Sequence, residues 1–417
     1  MKKLIIEGGR PLFGAVTAGG AKNAALPVLF AALAVDGPCI VENLPDIGDV
    51  ALALEILRGL GASVTRCDAH CCIVDCTGVG RVSAENENVH GIRGSVYLLG
   101  AGLARSGYAE CLLPGGCALG ARPIDQHLLA FRALGAEIVE SDDQIRVKAE
   151  RLHGADITFS TVSVGATVNA ILAATAAQGM TVLRNASAEP HIGDLIRFLN
   201  QCGGAVRQSA DGTVVIEGGR PLHGGEHRLI SDMIEAGTYL IAGVMSGGSV
   251  TVTDVCPAHL AGLTRLLREA GADMTATETT VTATATGSLL GISFATGPYP
   301  AFPTDLHPQM AALLATAQGP SCIEECVWPD RFRYIDELWL SGLCIRRRGR
   351  YAEIAGDDRP RPSSLCATDL RAGAAEMIAA LGAKGKSVIE NAEMILRGYE
   401  DPVGKFRRLG AVMQLAD

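Results

Sequence analysis

Cys117 stands in the stretch LPGGCALGARPID, behind two glycines and ahead of a third, with Arg122 five residues on. A thiol meant for packing sits in an apolar run, whereas glycine flanks and a nearby guanidinium describe a presented, reactive one. Asp305 lies in FPTDLHPQ. A carboxylate kept ionised among cations can take a proton from a hydroxyl, and a thiol on a glycine-rich loop can give one. Lys22, Arg122, Arg331, Arg371 and Arg397 together neutralise about three to four negative charges, more than one monophosphate needs. A small substrate bearing both phosphate and carboxylate suits that set.

These residues fall at repeating places along the chain. IEGGRPLFG from Ile6 and IEGGRPLHG from Ile216 differ at one position and are offset by half the chain. Ala/Leu-rich helical runs end at Gly37, Gly107, Gly179, Gly247, Gly319 and Gly385, each before a β-type segment. A second helical pattern ends near Gly61, Gly135, Gly203, Gly271, Gly342 and Gly410. The spacing predicts six units, three per half, each reading helix, strand, helix, then one or two strands.

The first helix of each unit is apolar all round, as in SVYLLGAGLA and MAALLATA, and is therefore buried. Crossovers between strands make the two helices of a unit parallel, with N-termini at one edge of the domain. Free N–H groups and the helix dipole prepare such an edge for phosphate and carboxylate. Lys22, Asn23, Arg93, Asp305 and Arg371 stand at starts of first helices. Cys117, Arg122, Glu189, His191, Arg331 and Arg397 stand at junctions between strand and second helix. Two such edges facing each other would pool them.

With 417 residues, 48% of them hydrophobic and 19% charged, the chain has ample core for two or three domains. Thirteen scattered cysteines, and only LeuIleIle as an apolar run after MetLysLys, read as a reduced, cytoplasmic protein with no membrane insertion. A net charge of −9 with 4% aromatics argues against a nucleic-acid surface but leaves room for a concentrated basic pocket. RCDAHCCIVDC gathers Cys67, His70, Cys71, Cys72 and Cys76 without a CysXXCys pair. It reads as a strand hairpin turning at AspAlaHis, its cysteines alternating between faces, and not as a metal cluster. Cys111, in a strand, reads as core.

The segments GGAKNAALPVLFAAL, LPGGCALGARPID, VSVGAT, IEAGT, PAFPTD, ATDLRA and RGYE follow in that order. On them the chain resembles, end to end, the UDP-N-acetylglucosamine 1-carboxyvinyltransferase family, enolpyruvyl transferases of peptidoglycan precursor synthesis. The resemblance implies an α+β fold of two similar domains, each of three βαβαββ units packed around buried helices (an inside-out α/β barrel), with a cleft that closes on substrate. It implies domains of 1–21 with 230–417, and of 22–229, with the two IEGGRPL segments as the crossovers. It implies transfer of the enolpyruvyl group of phosphoenolpyruvate to the 3-hydroxyl of UDP-N-acetylglucosamine, with phosphate released by addition and then elimination, and no metal or organic cofactor.

By the same resemblance, Cys117 matches the thiol that protonates C3 of phosphoenolpyruvate and is alkylated by fosfomycin, and Asp305 matches the acceptor of the hydroxyl proton. Lys22, Arg122 and Arg397 match the phosphate cradle, and Arg331 and Arg371 the carboxylate end. Asn23 and Arg93 match substrate contacts. Arg122, Pro123, Ile124, Asp125 and His127, with Ser163, Val164 and Gly165, match segments that hold uridine and diphosphate, and Asp369 matches a supporting acid. Five positions depart from the family pattern. Thr161 stands for a lysine, Met233 for an arginine, His191 for an acid, Pro329 for a glutamate and Leu396 for an acid. These departures leave open a transferase with another nucleotide acceptor, or a sugar-nucleotide-binding scaffold without turnover. The sister family acting on shikimate phosphate would lack the cysteine loop and the ARPID segment.

Overall fold

The computed structural model describes residues 2–84, 91–112, 123–141 and 144–417, so Cys117 and Arg122 lie outside the described residues. Among those described, the chain divides into two compact units, an inserted domain of residues 20–230 and a split domain of residues 2–19 with 231–417.

Each domain holds three four-stranded sheets of one design. In the inserted domain they run His223–Arg228, Asp36–Glu42, Cys71–Asp75, Ser63–Arg66; then Val82–Ala84, Tyr108–Leu112, Gln144–Lys148, Glu137–Glu140; then Asp156–Thr158, Gly179–Arg184, Val214–Gly218, Val206–Gln208. In the split domain they run Phe13–Thr17, Ser249–Thr253, Thr280–Thr284, Asp273–Ala276; then Ser293–Ala295, Ser321–Glu324, Tyr351–Ile354, Ile345–Arg348; then Ser364–Cys366, Gly385–Glu390, Lys3–Gly8, Val412–Ala416. The first pair of every sheet is parallel and the remaining pairs are antiparallel. A parallel pair needs a crossover, and in four of the six sheets a buried helix supplies it.

Three such helices fill each domain: Lys22–Ala31, Tyr97–Ser106 and Val164–Thr175 in one, Met233–Met245, His307–Leu314 and Leu370–Gly382 in the other. Ala, Gly and Leu let them approach closely. A Cβ on Gly100 would lie 2.5 Å from the Asn169 carbonyl oxygen of the neighbouring helix. The second helices, such as Pro190–Gln201 and Ala261–Glu269, bury one face. All twelve glycines of the repeat have positive φ. Gly107 shows why: it ends its helix left-handed at φ 67 and donates its N–H to Leu103 O.

The two IEGGRPL segments are not the crossovers. The first joins Lys3–Gly8 to Phe13–Thr17, both in the split domain, and the second joins Val214–Gly218 to His223–Arg228, both in the inserted one. The chain passes between domains one strand later, at 19–20 and 230–231. Packing accounts for the first glycine of each segment, and a turn at φ 81 and 75 for the second, Gly9 and Gly219. A Cβ on Gly8 would run into Ala380 O, and one on Gly218 into the carbonyls of Ala174 and Ala177, at the ends of buried helices.

A second repeat is written in asparagine. Asn43, Asn185 and Asn391 each follow the second strand of their sheet with φ near 55 (54, 54 and 56). Their Nδ2 groups donate to Leu229 O, Phe159 O and Ala367 O at 3.0, 2.9 and 2.9 Å. Each acceptor lies just past the parallel edge strand, where the chain turns toward a buried helix, so the same bond fixes the same turn three times. The cysteine-rich segment is the expected hairpin: Cys72 and Cys76 are buried, Cys71 half-buried and Cys67 exposed. Among the described residues no helix is long and apolar enough to cross a membrane.

Candidate active site

In the inserted domain the starts of the buried helices converge. A Cβ on Gly94 would meet Leu26 Cδ1 at 2.8 Å, and one on Gly165 would lie 2.9 Å from Cε1 and Nε2 of His127. Lys22 opens its helix and its Nζ donates to Asp49 Oδ2 at 3.0 Å. Asp49 sits in the first turn of Gly48–Gly59, where a carboxylate complements the helix dipole. Asn23 is half-buried beside Lys22, and Arg93 opens the 3-10 turn leading into Tyr97–Ser106.

His127 is the fixed point of this edge. Gly100 N–H donates to Asn169 Oδ1 at 2.8 Å, so Asn169 Nδ2 is the donor to Val96 O at 3.0 Å and to His127 Nδ1 at 2.8 Å. The His127 proton therefore sits on Nε2, directed at the first turn of Val164–Thr175. Burial, then the charge of Arg93, pushes the His127 pKa down to about 3 against the pull of Asp125, leaving a neutral N–H donor. Ser163 caps that helix by accepting from Ala166 N at 3.3 Å. The Val164 and Gly165 amides precede the first intrahelical donors. Gln126 Oε1 accepts from Ser160 N at 2.9 Å, tying Pro123, Ile124, Asp125 and His127 to the residues before Ser163. The structure thus brings the 123–127 and 163–165 segments together. Cys111 is core as expected, its thiol pushed up to about 12 by burial.

In the split domain Asp305 lies in the turn Thr304–Leu306, ahead of His307–Leu314. Arg331 Nη2 donates to its Oδ1 at 2.7 Å and Arg371 Nη2 to its Oδ2 at 2.8 Å. Both arginines are buried. Burial opposes the charge of Arg371, but Asp305, then Tyr399 and Asp232, outweigh it and raise its pKa above the ordinary arginine value. Asp369 caps Leu370–Gly382, its Oδ1 accepting from Arg371 N at 2.7 Å and Ala372 N at 3.0 Å. Arg397 follows the short helix Glu393–Leu396, and a Cβ on neighbouring Gly398 would lie 2.5 Å from Leu370 Cδ2. Arg397 is thereby set beside the start of the same buried helix.

Of the departures, Thr161 is exposed just ahead of Ser163, Met233 opens its buried helix behind the Asp232 cap, and His191 is buried. Pro329 is exposed and accepts from Arg347 Nη2 through its carbonyl at 2.8 Å. Sequence reasoning missed Asp49, Asn169, Thr304, His307 and Glu325. Only Asp49 carried a signal, an acid one residue into a second helix. Among the described residues no three His, Cys, Asp or Glu side chains gather as a metal site requires.

Residues 6–406 match the family model described as EPSP synthase (3-phosphoshikimate 1-carboxyvinyltransferase). The chain is 44% identical, over 99% of both sequences, to a Clostridium botulinum protein named UDP-N-acetylglucosamine 1-carboxyvinyltransferase. It is 40% identical over 99% of its own length and 95% of the other to a protein of that name from Coxiella burnetii. Among solved structures, the enolpyruvyl transferase NikO from Streptomyces tendae superposes with a TM-score of 0.88 at 30% identity, covering 100% of this chain and 99% of that one. EPSP synthase from Acinetobacter baumannii, at 18% identity and a TM-score of 0.75 over 100% of both chains, shares the fold.

Proposed function

We propose that this chain, which belongs to the EPSP synthase family, transfers the enolpyruvyl group of phosphoenolpyruvate to the 3-hydroxyl of UDP-N-acetylglucosamine and releases phosphate. The observation that carries this reading is the carboxylate of Asp305 clamped by Arg331 and Arg371 at the mouth of a buried helix, in a chain 44% identical end to end to a protein bearing that activity's name. The reaction belongs to peptidoglycan precursor synthesis and is placed in the cytoplasm.

Asp305 takes the proton of the acceptor hydroxyl as its oxygen attacks C2, and the Cys117 thiol gives a proton to C3, forming a tetrahedral ketal. Loss of a C3 proton back to the thiolate then restores the double bond. Phosphate leaves, carrying the proton that the hydroxyl gave up. Lys22, Arg122 and Arg397 take the phosphate, and Arg331 and Arg371 the carboxylate of the donor. The neutral Nε2–H of His127 and the first amides of Val164–Thr175 serve the nucleotide, together with Arg122, Pro123, Ile124 and Asp125. Asn23 and Arg93 contact the sugar nucleotide, and Asp369 keeps the Arg371 backbone in place.

Phosphate release is the test. Purified protein with phosphoenolpyruvate should release phosphate when UDP-N-acetylglucosamine is added and not when shikimate 3-phosphate is added. Preincubation with fosfomycin should abolish release, and Cys117→Asp should keep much of the activity while losing fosfomycin sensitivity. Release with shikimate 3-phosphate alone would contradict the assignment.

A further inference from the structure

Behind Asp305 lies a buried polar chain whose donors converge on the Glu325 carboxylate from both sides. Glu325 is 2% exposed, His307 0%, Tyr334 1% and Arg331 3%. Glu325 Oε1 accepts from Val327 N at 2.8 Å and Trp328 N at 2.9 Å. Its Oε2 accepts from Thr304 Oγ1 at 3.0 Å and from His307 Nδ1 at 2.8 Å. Because Nδ1 carries the proton, His307 Nε2 is an acceptor, and Tyr334 OH donates to it at 2.9 Å. Because the Thr304 hydroxyl spends its one proton on Glu325, its lone pairs face Arg331, whose Nε–H donates to it at 3.2 Å. Arg331 Nη2 is then left to reach Asp305.

The protonation states agree with this arrangement. Burial favours the neutral form of Glu325, but His307 and the backbone amides outweigh it and lower its pKa, while burial lowers that of His307. The pair is a carboxylate and a neutral imidazole. An ionised acceptor at one end and a guanidinium at the other leave Thr304 a single hydrogen-bonding arrangement.

Resting on the transferase reading above, we infer that Thr304 and Glu325, held by His307 and Tyr334, are positioning residues that aim the Arg331 guanidinium at Asp305 and at the carboxylate of the donor. Neither touches substrate. Glu325 also grips the backbone amides of Val327 and Trp328, so it fixes the segment that carries Arg331 as well as the side chain's aim.

The test uses steady-state phosphate release by the full-length protein with Thr304→Val, Thr304→Ser and Glu325→Gln, beside thermal melts. Thr304→Val keeps the shape and removes the hydroxyl. It should lower kcat by about ten- to a hundredfold and raise KM for phosphoenolpyruvate several-fold, with KM for UDP-N-acetylglucosamine and the melting temperature unchanged. Thr304→Ser, which restores the hydroxyl, should restore the rate, and Glu325→Gln should follow Thr304→Val. Wild-type turnover with an equally fast Thr304→Val overturns the positioning role and leaves the reaction standing. Loss of rate that tracks a lowered melting temperature or a raised KM for both substrates, unrescued by serine, overturns it as well. If the wild type is inert with this acceptor, calorimetry with phosphoenolpyruvate alone decides: tenfold weaker binding by Thr304→Val supports the inference. Equal binding, or no binding by the wild type, overturns it.

Discussion

Asp305→Asn should release phosphate about a hundred- to ten-thousand-fold more slowly than wild type, the range by which a positioned general base accelerates such a step. Asparagine keeps the shape and one acceptor for the arginines but cannot take a proton. The two guanidiniums that now share the Asp305 carboxylate, at 2.7 and 2.8 Å, would lose their counter-charge, so the folded protein should also melt earlier. Rate and stability can be told apart because UDP-N-acetylglucosamine binding, measured by calorimetry on the folded variant, should change little beside the loss in kcat. Turnover within tenfold of wild type would show that another group takes the proton.

Glu376→Gln is expected to change stability by several kcal/mol at high pH, and in a pH-dependent way. Glu376 sits mid-way along the buried helix Leu370–Gly382, 0% exposed, with no hydrogen-bond partner among the described residues for either carboxyl oxygen. Burial, then the charges of Glu337 and Asp369, raises its pKa from 4.5 to about 8. The folded value lies above the unfolded one, so the folded chain holds an extra proton in between. The stability this confers is full below pH 4.5 and is lost as pH rises through about 8. At about 1.4 kcal/mol per unit, the loss is on the order of 5 kcal/mol by pH 9. Glutamine stays neutral. Urea unfolding at pH 5.5 should find the variant ahead by only about 1.4 kcal/mol, and at pH 9 should find it the more stable by several kcal/mol. Parallel stability curves over that range would contradict a buried neutral acid.

The six-unit architecture was legible because glycine marks places where the backbone must turn left-handed, and those places recur at one per helix end. The crossover expectation at IEGGRPL came from the resemblance, and there the glycines serve two other ends: Gly8 and Gly218 let a strand approach a buried helix, and Gly9 and Gly219 turn at φ 81 and 75. Nothing in one sequence separates the two demands on glycine. The charged site residues were legible because they fall at helix starts in repeat register: Lys22, Arg93, Asp305 and Arg371 all open, or immediately precede, buried helices. Thr304, His307 and Glu325 were not. Their importance lies in bonds between residues 18 to 27 positions apart, and spacing in a chain carries no such information across a fold. Asp369 illustrates the converse: the resemblance matched it to a supporting acid, and its carboxylate is spent on capping the helix that carries Arg371.

Enolpyruvyl transfer leaves its mark on the acceptor, and the product reveals it. The wild-type protein, phosphoenolpyruvate and UDP-N-acetylglucosamine should be incubated together and the sugar nucleotide recovered and weighed by mass spectrometry. The transfer should yield a nucleotide heavier by one enolpyruvyl group, joined through the 3-oxygen of the sugar, in step with the phosphate released. Unaltered UDP-N-acetylglucosamine beside released phosphate, or no phosphate at all while another acceptor is enolpyruvylated, would contradict it.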